Sequence, residues 1–265
     1  MGFVRGPLVL LWRHRSLLRQ TIRNDISARY AGSLLGLAWL GLYPLLLLGA
    51  YALVYLYVFK VRFALFDSNE YVVLIFCGLI PFLGFSEALG VGVTSVTSNA
   101  NLIKNTLFPI ELIPVKSVFS SQCTQVVGTV MLLTALIAIG RLSSWAALLP
   151  VVWGAQILFC IGLLWILASL NVYMRDLQQL VSVLILLLMM ISPIAYTADM
   201  VPESMRPYLA INPLYYMIIS YQDILMLGQF PREGVLWSLL AISASVFFIG
   251  YWFFRRLKCA FADNV

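Results

Sequence analysis

The chain has 265 residues, of which 62% are hydrophobic and only 11% charged, whereas a soluble domain carries about 25% charged residues. A surface with so few charges cannot face water, and a mean hydropathy of +0.94 makes lipid its solvent. The net charge of +6 therefore belongs to loops at one membrane face. It does not mark a nucleic-acid partner, because no soluble basic domain exists to hold one.

Residues 1–30 carry Arg13, Arg15, Arg19, Arg23 and Arg29 before any long apolar run begins. A cleavable signal peptide would place a short apolar core close behind its basic start, so the first run is expected to stay in the membrane. Within this stretch, 8–30 is expected to be an amphipathic helix lying along the membrane face. Leu11, Leu18 and Ile22 form its apolar stripe, and Arg15, Arg19 and Arg23 follow at four-residue spacing beside it. Long Arg side chains can bury their stems and keep their heads wet. Such a helix is either a topology signal alone or also a contact surface for a cytosolic partner, and the second reading is preferred.

Six spans follow, at 34–59, 71–92, 115–139, 146–170, 180–198 and 235–254. Each is long enough to cross ~30 Å of hydrocarbon, and each must be helical because backbone groups in lipid need internal partners. Pro44, Pro81 and Pro193 fall inside them. The fold class is thus an all-α integral membrane protein, one membrane domain over 1–265. Of the 17 Lys and Arg, twelve fall on the side of the N-terminus and five on the other, which puts both termini in the cytoplasm.

The connections are informative. "NANLIKNTLFPIELIP", 99–114, and "NVYMRDLQQL", 171–180, are polar inner elbows, both expected to be helical. The outer region 199–234 is too apolar for an ordinary loop, and its stretch 214–227 is too short to cross. Re-entrant half-helices and a cap lying on the outer surface explain it equally well. Tyr208, Tyr215, Tyr216 and Tyr221 are expected at the headgroup level.

Catalytic chemistry is sparse. Glu87 is the one plausible intramembrane acid, and a lone Glu is more often an interfacial or helix-pairing residue than a catalyst. A membrane glycosyltransferase would need a cluster of acids or His at one face. The single His, His14, and four cysteines without a CxxC pair support neither a zinc site nor a disulfide framework. With no GxxxxGK[ST] stretch, the chain cannot cradle ATP phosphates in that way. The first span instead offers aromatics, with Trp39, Tyr43, Tyr51 and Tyr55 as channel candidates. Tyr43 and Tyr51 each lie about 6 Å from the span centre, where a hydroxyl needs a partner or a wet cavity. Aromatic faces with hydroxyls suit sugars; interhelical packing explains the same residues.

"ARYAGSLLGLAWLGLYPLLL" (28–47), "SEALGVGVTSVTSNANLIKNTLFPIELIPVKSV" (86–118), "NVYMRDLQQL" and "INPLYY" (211–216) resemble the membrane subunit of polysaccharide ABC exporters. This is the ABC type-2 permease family that exports O-antigen, capsular polysaccharide and teichoic acid. The resemblance covers nearly the whole chain. It implies a homodimer in the bacterial cytoplasmic membrane, bound to two copies of a separate cytosolic ATPase. ATP and Mg would sit in that ATPase, with no cofactor in this chain. A lipid-linked polysaccharide would pass between the halves.

On this resemblance, 8–30 is the interface helix, 199–228 the outer gate region, and spans one and five line the channel. Residues 99–110 would be the first coupling helix, with Leu102, Ile103, Leu107 and Phe108 as anchors and Asn101, Lys104 and Asn105 as polar contacts. Residues 172–179, including Arg175 and Asp176, would be the second elbow. An exporter of a drug or of another lipid is the alternative within the same superfamily.

Overall fold

A computed structural model describes residues 2–58, 67–100, 109–197, 200–202, 204–232, 234–258 and 261. Every regular element among the described residues is helical. The α-helices are α1 (Gly2–Arg13), α2 (Arg15–Tyr30), α3 (Trp39–Ala52), α4 (Ser68–Gly92), α5 (Ser95–Ser98) and α6 (Leu112–Ala138). They continue with α7 (Leu149–Tyr173), α8 (Leu177–Ile191), α9 (Arg206–Leu209), α10 (Pro213–Gln222) and α11 (Val235–Leu257). By length and composition 5 helical runs can cross a bilayer: Gly36–Val58, Ser68–Gly92, Leu112–Ala138, Ser144–Tyr173 and Val235–Leu257. Helix α8 is a shorter apolar helix. The chain is a multi-pass membrane protein.

The expected helix 8–30 arrives as two. The backbone turns at His14 (φ −103°, ψ 20°), although the His14 N–H still reaches the Leu10 carbonyl at 3.1 Å. Leu18 is buried, and Leu11 and Ile22 pack in part against the core, so the apolar stripe does face inward. Arg15, Arg19 and Arg23 point away from it and are exposed. The helix also extends back to Gly2, and Gly6 sits against the Tyr251 ring of α11.

Helix α4 is the central post, with 83% of its most apolar stretch buried. Around it the closest helix approaches fall at small residues. A Cβ on Gly84 would fall 1.7 Å from Gln125 Oε1, and one on Gly250 would fall 2.1 Å from the Gly162 carbonyl oxygen. Without a hydrophobic driving force between helices in lipid, such close packing and interhelical hydrogen bonds hold a bundle together. Gln125 and Gln156 bond each other reciprocally at 2.9 and 2.8 Å. The Tyr221 hydroxyl donates to Gln156 Oε1 at 3.1 Å, and Gln156 Nε2 also donates to the Pro81 carbonyl at 3.0 Å. This cluster joins α4, α6, α7 and α10 in the middle of the bundle.

The fifth span differs from expectation. Helix α8 has 15 residues, about 22 Å of rise, and stops at Ile191. Ser192 is extended (ψ 146°) because the Pro193 ring disfavours a helical residue before it. Pro193 therefore ends the helix and does not lie within it, unlike Pro44 and Pro81, which are inside α3 and α4. The irregular backbone beyond is buried in protein, the condition under which it is tolerated at membrane depth. Gln222 Nε2 donates to the carbonyls of Pro193 at 2.8 Å and Tyr196 at 3.3 Å. Gly78 leaves room for the Ile194 backbone, which a Cβ would meet at 2.7 Å.

Helix α10 settles the alternatives for the outer region. Its residues from Met217 to Gln222 are all buried, and its tip meets the polar cluster at bundle centre, so it is a re-entrant half-helix and not a surface cap. Tyr221, expected at the headgroups, is fully buried with its hydroxyl satisfied. Tyr208 is 72% exposed.

Candidate functional site

Helices α3 and α8 leave most of their apolar surface uncovered. Only 11% of the most apolar stretch of Gly36–Val58 is buried, and Val181 is the one buried residue of α8. Two cavities lie beside them. The first, about 440 Å³, is lined by Tyr30, Trp39, Tyr43, Leu83, Ser86, Glu87, Thr124 and Ile185. The second, about 460 Å³, includes Tyr51, Tyr55, Met189, Met190, Ser192 and Tyr196 in its wall. The four aromatic candidates thus divide evenly, Trp39 and Tyr43 in one cavity and Tyr51 and Tyr55 in the other.

The two pairs sit differently. Tyr43 is 50% exposed, whereas Tyr51 and Tyr55 pack in part against the core with their rings stacked 6.0 Å apart. The Tyr196 hydroxyl donates to the Ile191 carbonyl at 2.8 Å, closing the end of α8. Flat ring faces, hydroxyls and apolar walls together provide weak contacts for a ligand with both C–H faces and polar edges.

Glu87 pairs with Arg29 at the rim of the first cavity. One turn earlier on α2, Asp25 meets Lys116 at 2.9 Å and accepts from the Ser120 hydroxyl at 3.0 Å. These contacts hold α2 against α4 and α6. Sequence reading singled out Arg15, Arg19 and Arg23 and missed this face. The signal was present: Asp25 and Arg29 are four apart, as are Lys116, Ser120 and Thr124. Of the three named arginines, Arg15 lies 4.8 Å over the Trp12 ring, while Arg19 and Arg23 border a surface cavity with Ile22 and Tyr30.

Asn101, Leu102, Ile103, Lys104, Asn105, Leu107 and Phe108 lie outside the described residues. Their flanks are ordered by local bonds: Asn99 Nδ2 donates to the Ser95 carbonyl at 2.8 Å, and the Leu112 N–H to the Pro109 carbonyl at 2.9 Å. Arg175 and Asp176 form an exposed turn between α7 and α8. The second elbow is accordingly a tight turn, not the short helix expected, because α7 runs on to Tyr173 and α8 begins at Leu177.

Residues 16–226 match the ABC-2 type transporter family. The chain belongs to that family. It is 31% identical over 258 residues to the O-antigen export system permease protein RfbA of Myxococcus xanthus, covering 96% of this chain and 97% of the relative. A permease of the same name from Klebsiella pneumoniae is 31% identical over 250 residues, covering 93% and 94%. The family match extends from α2 through α10.

Proposed function

We propose that this chain is the permease subunit of an ATP-driven exporter of a lipid-linked polysaccharide, an O-antigen first and a capsule or teichoic acid next. The cargo crosses the bacterial cytoplasmic membrane through a channel between two copies. The observation that carries this reading is similarity over nearly full length to O-antigen export permeases. The uncovered surfaces of α3 and α8 support a second copy facing them, and the aromatic cavities support a glycan path with few charges to hold it. Two copies of a cytosolic ATPase supply ATP and Mg binding. Residues 99–110 dock into it through Leu107 and Phe108, as an amphipathic helix enters a groove. The excess of Lys and Arg on the N-terminal side supports cytoplasmic termini.

Depletion of the protein tests this. Cells are fractionated and lipid-linked polysaccharide is assayed on each side of the inner membrane. Finished glycan accumulating inside, with loss from the surface, is the expected result. Normal surface glycan with no inner pool would transfer the assignment to export of a drug or another lipid. Absence on both sides would point to an enzyme upstream.

A further inference from the structure

Both flanks of residues 101–108 are anchored to the bundle, and both anchors lie on α7. On the incoming side, Asn171 Nδ2 donates to Thr97 Oγ1 at 3.4 Å. On the returning side, the Trp165 indole N–H donates to the Glu111 carbonyl at 3.0 Å. The Glu111 carboxylate, on a residue 5% exposed, meets Lys258 Nζ at 2.6 Å, at the end of α11. A carboxylate this deep persists only when paired and hydrogen-bonded. Its partner comes from the helix most closely joined to α7. Gly162 and Gly250 bring the two backbones together, and Trp165 packs on Phe247 and Tyr251 with ring centroids 5.1 and 5.3 Å away.

We infer that Glu111 and Lys258 are positioning residues for energy coupling: they bolt the returning end of the coupling segment to the α7–α11 pair. This inference rests on the docking of 99–110 into the ATPase. Displacement of the segment then moves α7 and α11 as one body. Helix α8 follows α7 after a three-residue turn, so the same displacement reaches the wall of the aromatic cavities. Discrete, packed elements of this kind carry coupling as rigid-body shifts. A flexible attachment at residue 111 would dissipate the stroke in the loop.

The test uses the full chain in complex with its ATPase and, as probe, the lipid-linked glycan that accumulates in depleted cells. Glu111→Gln and Lys258→Met should each lower glycan-stimulated ATP hydrolysis, and surface glycan per folded permease, by about fivefold. Combining them should add little, since both break one contact. Lys258→Arg, which keeps the charge at a partly exposed position, should retain coupling. Stimulation unchanged in either single variant would overturn the inference. So would a loss that Lys258→Arg shares, or one that tracks only the melting temperature. The variant carrying Leu107→Ser and Phe108→Ser separates the two readings. Normal stimulation in that variant overturns the docking and the bolt with it. Loss there, with full coupling in Glu111→Gln, overturns the bolt alone.

Discussion

The α7–α11 pair and the α3–α8 pair are written in the same apolar alphabet and packed in opposite ways. Gly162 and Gly250 let α7 and α11 touch backbone to backbone, with Trp165 wedged beside Phe247. Helices α3 and α8 have no such contact: Gly49 has nothing within 4 Å of a Cβ position, and Met190 is 79% exposed. Apolar surface in lipid costs nothing to leave uncovered, so hydrophobicity cannot decide which helices pack. Small residues and interhelical hydrogen bonds decide it. A tight pair transmits displacement, whereas a loose pair can be moved and can receive a second copy.

The bundle breaks first at its tightest point. Gly162→Leu should cost about 3 kcal/mol or more by overpacking, because even a Cβ would lie 2.4 Å from the Val246 carbonyl oxygen. The expected readout is collapse of the folded fraction on detergent size-exclusion chromatography; a normal profile would show that α7 and α11 do not approach this closely.

Gln156→Leu comes next. It leaves Gln125 and Tyr221 without the partner at the centre of the bundle, a loss of about 2 kcal/mol. A lowered melting temperature of the purified protein checks it, and an unchanged one would mean that water or other groups satisfy the cluster.

On the loose side the expected effects move from stability to transport. Tyr43→Ala with Tyr51→Ala should reduce surface glycan about threefold, the scale of one or two aromatic contacts, with the protein level held. Loss of folded protein in parallel would instead assign these rings to helix packing. The smallest effect is Gly49→Ala. With open space around it, the change should be stabilising by up to about 1 kcal/mol through helix propensity. A strong loss of assembly on cross-linking would place a second copy's helix directly against Gly49.

Much of this was legible in order along the chain. The apolar runs and the basic N-terminal helix follow from length and charge, whereas for 214–227 length left a re-entrant half-helix and a surface cap even until the burial of Met217 to Gln222 decided between them. For Glu87 the sequence left an interfacial and a helix-pairing role open, and its partner Arg29 was out of reach because the pair spans 58 positions. Tyr221 was misplaced at the headgroups since a Tyr near an outer loop carries no mark of its distant partners Gln125 and Gln156. The end of α8 was placed too late: the apolar run continues through Pro193, and the bonds of Gln222 to the Pro193 and Tyr196 carbonyls, with Ile194 packed on Gly78, explain why the backbone can stop being helical at that depth.

By itself the sequence determined that the chain lives in lipid, how many apolar runs it has and which loops are basic, because bilayer thickness and the cost of bare backbone act on local composition. Only the tertiary structure decided which of those runs bury against each other and which stay open. That choice depends on backbone approach at single glycines, on buried amide partners and on ion pairs such as Glu111 with Lys258, all formed between residues far apart in the chain.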